Sequence, residues 1–458
     1  MPTLIISNQR TEEMVGDLAI LSPDYRRYVG NQAQRMAWSL QSGDVLVLPV
    51  EPDESFLRYV TSQLKIERSS VEVLVPPPGI YGDGVLSRDR LADEGFRRRL
   101  RRVVAERDVR KVLPFHFDSN IVSLVKWLGL GDVTPGFGFL EQGGGRLLNS
   151  KSTFRALAGG AGVPVPEGKV CSSIEAAEVF MWTELLSRGF PGILKRDFHV
   201  AGFGNEIVSP VSDVEPIGAL RTVVVDDRAE LAKYLAERWD WLTDGGCRPV
   251  VIERYFVDSV PICAEFQVDD QGVEQTGHGE MRMAPVLNGH VWPAPSCDLP
   301  AFGLFLEAAR RLCGPIHAMG YRGVVSVDAV VTPDGDFLIN EFNCRVSGST
   351  HAYHIAERVV GLGKSWDRVL VEQRRCTFPR VSVAVKALRQ SGLAYDHDAR
   401  CGVLIAVDDN SPSGGFGEYC VVAEHMDDAQ AIEAEIADLF AAITESIATR
   451  TFDAGAGA

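Results

Sequence analysis

The chain has 458 residues, of which 45% are hydrophobic and 24% charged, and a formal net charge of −16 at pH 7. Such a length buries a core readily and divides into about two to four domains, while the acidic balance excludes nucleic acid as a partner because phosphate backbones are repelled. No apolar run is long enough to cross a membrane, and the nine cysteines, without a CxxC pair, read as reduced thiols of a cytoplasmic protein.

Taken in order, MPTLIISNQR lacks a basic stretch before its short apolar run and reads as a first strand, not a signal peptide. Up to about residue 130, the runs LIIS, DVLVLPV, VEVLVP and KVLPF alternate with helical stretches, the pattern of an open α/β sheet. Within it, RRRLRRVVAER is an amphipathic helix with Phe96, Leu100, Val103 and Val104 on its apolar face. His116 and Asp118 follow the last of these strands. Ligand sites favour the carboxyl ends of such strands, so both are candidate substrate contacts, and a loop without a role is an equal reading.

Next, Asn149 or Ser150 can cap a helix with Phe154 and Leu157 inside and Gly159-Gly160 as its stop, and Lys151 falls in its first turn. FPGILKRDFHVAGFGNEIV carries Lys195 on an apolar run and then a loop with Gly202 and Gly204. Lysine meets phosphate as a point charge, and glycines let backbone N–H groups approach its oxygens. PVVIERYF is a strand ending in Glu253-Arg254-Tyr255. Residues 301–319 form a helix with Phe302, Phe305, Leu306, Ala309, Leu312 and Ile316 inward.

The most specific segment runs from Val324 to His351. VVSVDAVV and DFLINEFN are joined by TPDG, which favours a tight turn, so they form a hairpin. Glu341, Asn343 and Arg345 alternate and therefore share a face. With Asp328 on that face, hard oxygen ligands converge beside a fixed cation, as Mg²⁺ on a polyphosphate requires. In SGSTH, Ser349 or Thr350 can cap the helix that follows. Ordinary capping and a substrate anion at the free N–H groups beside His351 are equal readings.

Other signals fall away. Gly363-Lys364-Ser365 lacks the first glycine of a P-loop, because Arg358 stands there. No G-x-G-x-x-G follows the first strand, and His351 with His354 has no partner spaced to complete a zinc site. After CTFPRV, VAVKAL, GVLIAV and EYCVVAE read as strands, SPSGGFG as a flexible loop, and a helix after Asp427 turns Ile432, Ile436, Leu439, Phe440 and Ile443 inward.

The hairpin, the lysine with its glycine loop and their order along the chain resemble the ATP-grasp carboxylate–amine ligases. The layout and NCRVSGSTHA look most like the pheganomycin-type peptide ligases. The resemblance implies a multidomain fold of α/β and α+β parts. A pre-ATP-grasp open α/β domain would cover 1–134, an ATP-grasp core 135–373 with a lid at about 171–248, and a small α+β domain 374–458.

It further implies ATP and two Mg²⁺ ions. Asp328, Glu341 and Asn343 would ligate the metals. Lys151, Lys195, Gly202 and Gly204 would meet phosphates, Glu253 and Tyr255 the adenine, and Glu265 the ribose. Arg345 would hold the acyl phosphate and oxyanion. Arg282 would do the same or form a structural ion pair. The implied partners are a carboxylic or amino acid and an amine or peptide acceptor, with an unusual amino acid joined to the N-terminus of a peptide and ADP and phosphate released, in a chain compatible with a homodimer. A small-molecule kinase and a non-catalytic nucleotide-binding protein are the alternatives.

Overall fold

The structure is a computed structural model that describes residues 1–363, 366–409 and 415–455, the side chains of 445–455 excepted. Its first sheet joins β1 (Thr3–Ile6), β2 (Val45–Val47), β3 (Glu72–Leu74) and β4 (Lys111–Pro114), all parallel, in the order β3-β2-β1-β4. Side chains alternate across a strand, and here both faces are covered. Leu4, Ile6, Val45 and Val47 pack with Phe96, Leu100 and Val103 of the helix Glu94–Glu106. Ile5 and Leu46 enter the opposite core, with Trp38 and Phe56. Each such fully buried side chain contributes roughly 1.5–3 kcal/mol. The helix begins where Asp93 accepts a hydrogen bond from Phe96 N at 2.7 Å.

A second sheet contains β5 (Gly168–Cys171), β6 (Gly192–Arg196), β7 (Asn205–Ser209), β8 (Thr222–Val224) and β9 (Val250–Arg254), in the order β5-β9-β6-β7-β8. This sheet takes in the segment 171–248 in which a lid is expected, and reaches beyond it at both ends. Strand β9 pairs with both β5 and β6, so hydrogen bonding carries the sheet out to Gly168 and Arg254.

The third sheet takes β10 (Val260–Asp269), β11 (Gly272–Met283), β12 (Leu287–Trp292), β13 (Gly323–Val331), β14 (Phe337–Asn343), β15 (Val369–Cys376), β16 (Gly402–Val407) and β17 (Gly417–Ala423). Their order is β14-β13-β10-β11-β12-β15-β17-β16. The helix Phe302–Ala318 covers it with Phe305, Ala309, Leu312 and Ile316, as its periodicity predicts. Among the described residues no helix is long and apolar enough to cross a membrane.

In the C-terminal α+β unit, β17 pairs with β15 and extends the central sheet. One expectation for this region is corrected. VAVKAL is not a strand but part of the helix Val381–Ser391. Its valines alternate, yet Val381, Ala384 and Leu388 are the buried positions, and that spacing is helical. The SPSGGFG loop begins outside the described residues, as do Lys364 and Ser365 of the GKS triplet. The C-terminal strands also seal the first domain. Trp38 Nε1 donates to Ala406 O at 3.0 Å, and Arg35 Nε to Glu418 Oε2 at 2.6 Å with both side chains buried.

Candidate active site

The three sheets face one open cleft. One end is built on the β13–β14 hairpin, whose turn closes with Gly335 N donating to Thr332 O at 2.9 Å. Gly335 takes φ +85°, which a side chain would strain. The register sets Asp328 opposite Glu341 and Ser326 opposite Asn343, with a bulge after Asp328. Asn343 Nδ2 donates to Asp328 Oδ2 at 3.0 Å, and Arg345 donates to Asn343 Oδ1 at 2.6 Å and to Asn149 Oδ1 at 3.2 Å. Burial, and then the facing Glu341 carboxylate, push the Asp328 carboxyl well above its usual range. Burial brings the Arg345 guanidinium down to about 10.

Two lysines converge on this hairpin from different elements. Ser150 caps the helix Lys151–Ala161 by accepting from Thr153 N, as expected, although the helix runs past Gly159-Gly160 to Gly162. Asp197 clamps that end, accepting from Ser150 Oγ at 2.9 Å and Ser152 N at 2.8 Å. Lys151 Nζ thereby lies 3.2 Å from Glu341 Oε1 and donates to His199 O at 2.8 Å. Lys195 on β6 lies 2.6 Å from Glu253 Oε2 and donates to Asn340 O at 3.3 Å. Both ammoniums are buried, and buried charges persist only when paired.

The glycine loop at 199–205 joins β6 to β7 and lines the cleft through Val200, Ala201, Gly202, Phe203 and Asn205. A Cβ on Gly204 would meet His199 Cβ at 2.3 Å, so the tight fold of this loop requires glycine there. Phe203 packs edge-on against Tyr25 of the first domain, 5.1 Å between centroids. Beyond the loop, Ile193, Tyr255, Phe256, Met281, Met283 and Leu287 give the cleft an apolar sleeve.

Several expected site residues are elsewhere. Glu253 lines the cleft, but its carboxylate is bracketed by Lys195 and by Arg155 at 2.6 Å, so it is an anchor for two cations and not a free acceptor for adenine. Tyr255 lines the sleeve, yet its N–H donates to Pro191 O, leaving the ring as its contact surface. Glu265 is buried away from the cleft wall, accepting from Thr350 Oγ1 at 2.7 Å and Ser347 Oγ at 3.0 Å; it cannot serve a ribose. Arg282 forms an ion pair with Glu433 at 2.6 Å and does not line the cleft, so the structural reading holds for it.

Ser349 lines the cleft but does not cap the next helix through its side chain. Thr350 is tied to Glu265, and His351 Nε2 lies 3.0 Å from Glu372 Oε1 in the interior. His351, Glu372 and Glu418 are close enough to hold a metal ion. Arg35 and Arg374 already balance those two carboxylates, which leaves no charge for a cation to neutralise.

Asp118 is a helix cap, accepting from Ile121 N at 2.8 Å, and His116 is buried beside it; neither reaches the cleft. Burial pushes the Asp118 carboxyl up to about 7. A carboxyl raised on folding favours the folded state below its unfolded value near 3.8, and that contribution is lost as pH rises through about 7. Asp118→Asn keeps the cap and removes the charge. It is expected to raise stability at pH 8 by on the order of 2 kcal/mol and to change little at pH 4, as urea unfolding at the two pH values would record. An equal effect at both would refute it.

Sequence reasoning missed the opposite wall, where Gln9, Arg10, Gln32, Arg35, Arg374 and Arg375 line the cleft. The rule that singled out Asp118 after β4 applies equally to SNQRT after β1, and would have found Gln9 and Arg10.

The family model described as the Pre ATP-grasp domain matches residues 33–130, and that of the PGM1 C-terminal domain matches 383–436. An L-amino acid ligase from Bacillus licheniformis superposes with TM-score 0.52 at 14% identity, over 96% of this chain and 97% of that one. The biotin carboxylase domain of Hydrogenobacter thermophilus 2-oxoglutarate carboxylase, solved with MgADP and bicarbonate, gives TM-score 0.55 at 11% identity, over 92% and 86%. In fold the chain is similar to ATP-grasp ligases. Among curated sequences, it is 26% identical over 367 residues to an L-propargylglycine–L-glutamate ligase of Streptantibioticus cattleyicolor, covering 73% of this chain and 71% of that protein.

Proposed function

We propose that the chain is an ATP-dependent ligase that activates a carboxylate as an acyl phosphate and joins it to an amine, releasing ADP and phosphate. In this reading an amino acid is attached to another amino acid or to the N-terminus of a peptide. The observation that carries it is the convergence of Asp328, Glu341 and Asn343 with Lys151, Lys195 and Arg345 at one end of the cleft. Two carboxylates and an amide oxygen suit hard divalent cations, so these residues would hold Mg²⁺, two ions in the proposal. Bound there, Mg²⁺ would supply charge neutralisation to the transferring phosphoryl group. The apolar sleeve fits a purine ring, and the glycine loop lies where it would cover phosphates.

In the first half-reaction a carboxylate oxygen attacks the γ-phosphorus of ATP, the bond to the bridging oxygen breaks, and ADP leaves. Lys151 and Lys195 stabilise charge on the phosphate oxygens during that transfer. In the second, the amine attacks the acyl carbon, the C–O bond to phosphate breaks, and the amine proton leaves with the phosphate. Arg345 can steady the oxyanion with its fork of donors. The closed loop at 199–205 would exclude water from the acyl phosphate.

Hydroxylamine, offered with the twenty proteinogenic amino acids and Mg·ATP, tests this. Hydroxamate should form with one ADP and one phosphate per product, and ¹⁸O from a labelled carboxylate should appear in the phosphate. AMP with pyrophosphate, or a phosphate ester without hydroxamate, would show the reading wrong.

A further inference from the structure

We propose that the wall formed by Gln9, Arg10, Gln32 and Arg375 seats a free α-amino acid, its carboxylate on the two arginines and its ammonium on the two glutamine carbonyl oxygens. This rests on the ligase reading and specifies one of its substrates.

The amide orientations are set by their neighbours. Gln9 Nε2 donates to Gln32 O at 3.1 Å, and Gln32 Nε2 donates to Tyr28 OH at 2.6 Å and to Glu418 Oε1 at 3.1 Å. Turning either amide over would set oxygen against oxygen. Both side chains are 2–3% exposed, and both Oε1 atoms are left without a donor. Buried acceptors of that kind are costly unless something arrives to donate. Both belong to residues of the cleft wall, where a bound ligand can supply the donor.

The cations beside them are also uncommitted. Arg35 and Arg374 are neutralised by Glu418 and Glu372. Arg10 and Arg375, by contrast, have no acidic partner among the described residues. Arg10 Nε donates to Tyr25 OH at 3.0 Å, and the Arg375 guanidinium lies 5.5 Å from the ring centroids of both Tyr28 and Phe203. Both arginines have backbones in the left-handed region, at φ 58° and 56°. Non-glycine residues rarely sit there, and such strain gathers at ligand sites. Tyr25, Tyr28 and Phe203 link the four residues into one wall, so a ligand would meet acceptors and cations together.

Acceptors with unpaired guanidiniums match a molecule bearing N–H donors and an anion. In a chain of net charge −16, two arginines without an acidic partner among the described residues favour such an anion. A simple anion would leave the glutamine oxygens unmet, and a simple amine would be repelled by the arginines. An α-amino acid satisfies both.

Calorimetry with the full chain and Mg²⁺ plus the β,γ-imido analogue of ATP tests this against the twenty L-amino acids, their carboxamides and their N-acetyl forms. At least one amino acid should bind, and its two blocked forms should bind at least about tenfold more weakly, as expected for loss of a charge-assisted contact. Arg375→Met and Gln9→Met should each weaken the amino acid by a similar factor while leaving the nucleotide analogue bound as before. Arg375 is only half-buried, so its variant is measurable even if Gln9→Met fails to fold. Unchanged amino-acid binding in Arg375→Met, equal binding of the blocked forms, or nucleotide binding with no amino acid bound would overturn the proposal. Failure of the nucleotide analogue itself to bind would overturn the ligase reading beneath it.

Discussion

Replacing Glu341 with Gln, or Asn343 with Ala, is expected to reduce ATP-dependent hydroxamate formation by roughly a thousandfold or more, equivalent to about 4 kcal/mol of transition-state stabilisation. Glu341 faces Asp328 across the hairpin and touches Lys151, and Asn343 joins Asp328 to Arg345. Gln keeps the shape of Glu but would bring one negative charge fewer to the proposed Mg²⁺ site and leaves Lys151 without its carboxylate. The fold should survive, because Lys151 still donates to His199 O and the hairpin register depends on backbone pairing. Circular dichroism and the unfolding midpoint would check that. Turnover within a few-fold of the parent at saturating Mg²⁺ would remove this hairpin from the catalytic centre.

Glu418→Ala is expected to destabilise the protein by about 3–5 kcal/mol, the usual cost of leaving one member of a buried ion pair alone. Arg35 is about 4% exposed and donates to both oxygens of Glu418, so truncation leaves a guanidinium buried near Arg374. Arg35→Met should destabilise comparably, with Glu418 keeping Gln32 as its one side-chain donor among the described residues. The double change Arg35→Met with Glu418→Leu should recover most of the loss, because an apolar pair needs no compensation. Chemical unfolding midpoints of the three variants decide it. A single variant costing under about 1 kcal/mol, or a double variant worse than either single, would contradict the account.

Much of the fold was legible because strand and helix periods are local. The four first-domain strands, the helices Glu94–Glu106 and Phe302–Ala318, and the hairpin with Asp328 opposite Glu341 all follow from alternation, caps and turn residues. The helix Val381–Ser391 was misread because three alternating valines satisfy a strand template as well as a helix. Glu265, Arg282 and Asp118 could not be placed from sequence, since an acid or a base looks the same whether it faces a ligand or a partner far along the chain. Arg282 meets Glu433 and Glu265 meets Thr350, both distant contacts. The arginines of the opposite wall were hidden for the same reason: Arg10 and Arg375 are brought together only by the assembled domains.

The pairing of β17 with β15, and of Glu418 with Arg35, also sets an order in time. A chain leaving the ribosome presents the first sheet, the lid and the β13–β14 hairpin before residue 418 exists. Until then Arg35 lacks its ion-pair partner and β15 has a bare edge. The Arg35 side of the cleft is therefore completed last, after every residue of the β13–β14 hairpin has already been made.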